Sequence, residues 1–166
     1  AGEFAVCAQL GKLGLIATPF AGNVPGFDVL AVDEFLNCVP IQVKTSRSLT
    51  WISGDISNYV ELDENSPKLI LGEPKKPKYP DLIRVYVSLG MQGRTDRFFV
   101  LSEEELFRVV AHGFTSWLKG HGGVRPKNPA SRHSAIGISD LESYENAWSL
   151  VTDRLKLLQE GKLHRS

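Results

Sequence analysis

Two short apolar runs, FDVLAVD (27–33) and CVPIQVKTS (38–46), stand only four residues apart. Runs of this length, rich in Val and Ile and separated by EFLN, read as two strands, and so short a connection favours an antiparallel hairpin. Within them Asp28 lies near the start, and Gln42 and Lys44 lie near the end. A carboxylate or an ammonium in a sheet is costly unless it is paired or binds something. Gln42 and Lys44 are two apart, so they leave the same face of their strand, while Val43 points the other way into apolar packing. In a hairpin the open end of the first strand faces the later half of the second. Asp28 and Lys44 are thus expected as neighbours at one mouth of the sheet.

The rest of the chain reads as more sheet and more helix. GEFAVCAQLGKLG sets Phe4, Cys7, Ala8 and Leu10 at helical spacing, with Gly14 as a stop. LIATPF (15–20) is a strand and AGNVPG (21–26) a loop. LTWIS and NYVEL look extended, and the proline-rich EPKKPKYP reads as a surface loop. DLIRVYVSL (81–89) and DRFFVL (96–101) form a strand pair. A helix follows, with Ser102 and Glu105 as its capping box. HGGVRPKNPASRH (121–133) reads as a loop, and a last amphipathic helix begins at Ser139 with Glu142 repeating the box. The expected architecture is α/β: a mixed sheet flanked by helices, in one domain over 1–166, with its motif region at 2–46 and a helical part at 102–160.

At 166 residues, 42% of them hydrophobic and 23% charged, the chain has material for one packed core. Lys plus Arg equals Asp plus Glu at 19 each, so any basic surface must come from uneven distribution. Lys119, Arg125, Lys127 and Arg132 lie in a stretch with no acid, which makes them the expected nucleic-acid contacts. Solvation alone accounts for such a loop equally well. Cys7 and Cys38 are expected reduced and buried. The four histidines have no metal-ligand spacing, and Trp51, Trp117 and Trp148 are expected in core contacts. No run of 18 apolar residues appears, nor a signal peptide, so a cytoplasmic protein off the membrane is expected.

A carboxylate beside a lysine at a sheet mouth suits phosphodiester hydrolysis, where a hard divalent cation and a cationic side chain share the work. A Glu in the first helix, then PGFDVL, then IQVK on the next strand resembles the PD-(D/E)XK nuclease superfamily, the restriction-endonuclease-like fold. The resemblance covers residues 2–46. It implies metal-dependent cleavage of DNA by an endonuclease, with Asp28 and Glu3 holding Mg²⁺ or Mn²⁺. Gln42 and the backbone carbonyl of Val43 would be further ligands, and Lys44 would face the scissile phosphate. A homodimer would suit a chain without a separate recognition domain. Gln42 departs from the family pattern, since it stands where an acid is usual and removes one negative charge. The alternative is therefore a weak or inactive nuclease-fold module that binds nucleic acid or a protein. Without the family, Asp28 pairing structurally with Lys44 and Glu3 answering the helix dipole remain sufficient readings of those residues.

Overall fold

A computed structural model describes residues 1–20, 26–63 and 71–165; of the loop expected at 21–26, all but Gly26 lies outside them. The chain forms two compact units. Segments 1–48, 82–102 and the part from Tyr144 onward make the first, and 49–81 with 103–143 the second.

The first unit opens with helix α1 (Gly2–Lys12), which ends as expected at Gly14. That residue takes φ +80°, and Leu15 donates back to the Leu10 carbonyl at 3.2 Å. Strands β1 (Ile16–Pro19), β2 (Val29–Val32) and β3 (Cys38–Ser46) follow as an antiparallel meander. The turn between β2 and β3 is tied by Asp33, whose Oδ1 accepts from the amides of Phe35 and Asn37 at 3.0 and 2.8 Å. Leu36 in that turn takes φ +64°, a left-handed conformation rare for a branched apolar side chain.

Two further strands complete the sheet, numbered in chain order with those of the second unit. These are β7 (Ile83–Ser88) and β8 (Arg97–Ser102), the strand pair expected from the sequence. The sheet order is β1-β2-β3-β7-β8, with β3 and β7 parallel and every other neighbour antiparallel. This is the expected mixed sheet. Val29, Ala31, Ile41, Val43, Val85 and Val100 bury one of its faces under Val6 and Leu10 of α1 and Val151 and Leu155 of the last helix. At roughly 1.5–3 kcal/mol for each such side chain removed from water, this layer is the main stabilising term of the unit.

Three corrections concern helices. The buried line of α1 is Gly2, Val6 and Leu10, while Phe4 is 69% exposed. Gly2 sets this rotation, because a Cβ there would collide with Thr45 Oγ1 on β3. The single helix expected from Ser139 is in fact α3 (Ile138–Leu141), a 3-10 turn (Glu142–Tyr144) and α4 (Ser149–Arg165). Asn146 breaks it with φ +53°, and Glu145 is drawn aside by Arg97, which donates to both carboxylate oxygens at 2.8 and 2.9 Å. The expected box at Ser139 is also displaced. Gly137 is the N-cap residue, and its amide donates to Asp140 Oδ2 at 2.9 Å.

The second unit contains β4 (Thr50–Asp55), β5 (Val60–Leu62), β6 (Leu71–Pro74), α2 (Glu103–Gly120), β9 (His133–Gly137) and α3. β4 pairs antiparallel with β9, and β5 with β6. Helix α2 starts directly after Ser102, where the Ser-x-x-Glu pattern puts it. The stretch read as a loop at 121–133 is turns and bends up to His133, which opens an unforeseen strand. Among the described residues no helix is long and apolar enough to cross a membrane.

Candidate active site

Asp28 stands one residue before β2 and holds β3 on both sides of Gln42. Its amide donates to the Ile41 carbonyl at 2.9 Å, and its Oδ2 accepts from the Val43 amide at 2.8 Å. The carboxylate thus satisfies a backbone donor of β3 where the β2 ladder ends. Its Oδ1 has no hydrogen-bond partner among the described residues. Gln42 is half-buried and Lys44 exposed, and the side chain of neither has a hydrogen-bond or ion-pair partner among the described residues. The ion pair of Asp28 with Lys44 that would make both residues purely structural is not formed. Val43 between them is 6% exposed, so the alternation expected along this strand holds.

Glu3 lies in the first turn of α1, next to Gly2, whose close approach to Thr45 brings the start of the helix against the Lys44 end of β3. Its Oε2 accepts from the Ala1 ammonium at 3.2 Å. The hydrogen bond from its own backbone amide holds its carboxyl below the ordinary value, with burial acting against it and the ammonium adding to it. Among the described residues no three His, Cys, Asp or Glu side chains form a metal-binding group. The donors that the motif supplies are all oxygens: Asp28 Oδ1, the Gln42 amide oxygen, the Val43 carbonyl and Glu3. Oxygen donors of this kind fit a hard divalent cation.

The expected nucleic-acid contacts sit in the second unit and differ among themselves. Arg132 pairs with Asp55 at 3.0 Å. Arg125 donates to the carbonyls of His133 and Ser131 at 2.6 and 3.4 Å, and its guanidinium lies 5.5 Å from the centroid of Trp117. Both arginines therefore brace the loop. Lys119 and Lys127 are exposed and without ion-pair partners among the described residues. Trp51 and Trp148 are buried as expected at 4% and 8% exposure, whereas Trp117 is 40% exposed and corrects that reading. Cys38 is exposed at the turn end of β3 and Cys7 half-buried, so neither has the full burial expected.

No family model matches the chain, and no curated protein matches it. Among solved structures, the bacterial homing endonuclease I-Ssp6803I superposes with a TM-score of 0.50, covering 99% of this chain and 93% of its own. The fold is shared with a homing endonuclease. The two sequences are 13% identical, so the likeness is one of fold. A Holliday junction resolvase, Hjc of Archaeoglobus fulgidus, aligns over 85% of this chain and 92% of its own at a TM-score of 0.39 and 11% identity.

Proposed function

We propose that the chain is a divalent-metal-dependent DNA endonuclease of the PD-(D/E)XK kind, with its chemistry at Asp28, Gln42 and Lys44. The observation that carries this reading is the local economy of these three side chains. Among the described residues only Asp28 Oδ2 of this set is engaged, which leaves one carboxylate oxygen, an amide and an ammonium along paired strands. The shared fold with a homing endonuclease supports DNA as the substrate.

Asp28, the Gln42 amide oxygen, the Val43 carbonyl and Glu3 would hold Mg²⁺ or Mn²⁺. Such a cation, when bound, acidifies water and neutralises charge on phosphoryl oxygens. The Val43 amide fixes the Asp28 carboxylate in one orientation, so Oδ1 needs no reorganisation to act as a ligand. Lys44 would donate to the scissile phosphate and stabilise its developing charge. Gln42 contributes no charge, so occupancy should be weak until substrate phosphate joins the ligand set, and Mn²⁺ should serve better than Mg²⁺. Lys119 and Lys127 would neutralise backbone phosphates. A homodimer would bring two such sites to the two strands of a duplex.

A supercoiled-plasmid nicking assay tests this. Wild type should nick with Mn²⁺, whereas Lys44→Ala and Asp28→Asn should not. Equal nicking by wild type and Lys44→Ala, or none by wild type on any DNA form, would move the reading to a nuclease-fold binding module. The missing acid at position 42 favours that second reading, as does the lack of a three-acid group among the described residues.

A further inference from the structure

The second unit contains a cleft of about 440 Å³ bounded by the middle of α2, β9 and the start of α3. Trp117 forms one wall, and its neighbour Arg125 is fixed there by the carbonyls of Ser131 and His133. Asp140 also lines the cleft. Its Oδ2 is occupied by the Gly137 amide, and its Oδ1 has no hydrogen-bond partner among the described residues. Gly113, in the middle of α2, makes room for this carboxylate, since a Cβ there would come within 2.9 Å of Oδ1. A mid-helix glycine costs roughly 1 kcal/mol relative to alanine. Ser139 and His133 also line the cleft.

The geometry points to a nucleobase site in this cleft, selective for a base edge that donates hydrogen bonds. The Trp117 indole is 40% exposed, with His121 packed against it at 4.7 Å and the Arg125 guanidinium over the ring, and its remaining open surface is the platform for a base. Stacking of this kind is worth about 1–3 kcal/mol per base in single-strand binders. A carboxylate accepts only and repels phosphate, so it sorts bases by their donors. Guanine presents an adjacent ring N–H and amino group, two donors that can point at the open Oδ1 with no acceptor between them. Thymine presents one N–H between two carbonyls, which the carboxylate repels. The expected order is therefore guanine first and thymine last. The base is either that of a free nucleoside or an unpaired base within a strand. Only the strand-borne case rests on the proposed DNA substrate.

The test uses the Lys44→Ala protein without divalent cation, so that no strand is cut and the outcome is independent of the nicking assay. Trp51 and Trp148 are buried, so the indole N–H resonance of Trp117 reports the cleft. Guanosine should shift that resonance saturably, and thymidine should not. Asp140→Asn keeps an acceptor for Gly137 and should weaken guanosine binding about ten-fold, the factor for one charge-assisted hydrogen bond. A static Trp117 signal, equal response to both nucleosides, or unchanged affinity in Asp140→Asn would overturn the assignment. A thymidine decamer carrying one deoxyguanosine identifies the source. Tighter binding than guanosine assigns the cleft to a base in a strand, and equal binding assigns it to the free nucleoside.

Discussion

Asp28 carries two duties that substitutions separate. Asp28→Ala leaves the Val43 amide without its acceptor and should destabilise the protein by about 1–3 kcal/mol in denaturant unfolding. Asp28→Asn retains an acceptor and should keep most of that stability while removing any thermal shift on adding Mn²⁺. Among the described residues nothing braces the Lys44 side chain, so Lys44→Ala should change stability by less than about 0.5 kcal/mol while abolishing cleavage. Gln42→Glu should enlarge the Mn²⁺-dependent rise in melting temperature, and an unchanged rise would exclude residue 42 from the ligand set. Glu145 supplies the pH dependence. Hydrogen bonding to Arg97 lowers its pKa in the folded protein, so the pair contributes stability above the ordinary carboxyl range. That contribution is lost as pH falls through the lowered folded value. Both side chains are about one-third exposed, so the effect is modest. The melting-temperature gap between wild type and Glu145→Gln should be open at neutral pH and close in acid.

The elements differed in how openly the sequence declared them. β2, β3, β7 and β8 were legible because each is an unbroken apolar run bounded by turn formers, and α2 because Ser102 and Glu105 flank its start. The face of α1 was not, because periodicity treats Phe4 and Val6 alike. What decides between them is the contact of Gly2 with Thr45, 43 residues away in sequence. Gly2→Val should therefore weaken the packing of α1 and lower stability by about 1–3 kcal/mol through overpacking. The break between α3 and α4 was hidden for a similar reason. Ser139 to Gly161 has good helical periodicity, and the interruption comes from Arg97 on β8 capturing Glu145. β9 was missed because HSAIG is too short and mixed to stand out from the loop before it, and its pairing with β4 is what makes it a strand. In the turn from β2 to β3, Leu36 is 75% exposed and left-handed. Leu36→Gly should leave stability equal or up to about 1 kcal/mol higher, since relief of the left-handed penalty outweighs the added chain entropy.

At the scale of the whole molecule, the basic stretch from Lys119 to His133 shows what counting charges leaves out. Four cations with no acid between them suggested four phosphate contacts, yet Arg125 and Arg132 are committed to carbonyls and to Asp55. The salt dependence of DNA binding should accordingly fall by about two units of slope in Lys119→Ala/Lys127→Ala, near 0.9 per lost contact. An unchanged slope would show that the two lysines are merely solvated. The placement of Asp28, Gln42 and Lys44 along paired strands was legible because strand alternation fixes their faces, whereas the Val43 clasp depends on a local end to the ladder that no period encodes. The order of segments has a further consequence for a chain emerging from the ribosome. It leaves the first unit at Ser48, returns at Leu82, leaves again at Ser102 and returns at Tyr144. β3, with Gln42 and Lys44, must wait for β7 to cover its second edge, and the apolar face behind it waits for Val151 and Leu155. An interrupted translation product therefore carries the motif without the framework that orients it. The proposed site acquires this framework only once the α4 segment is made.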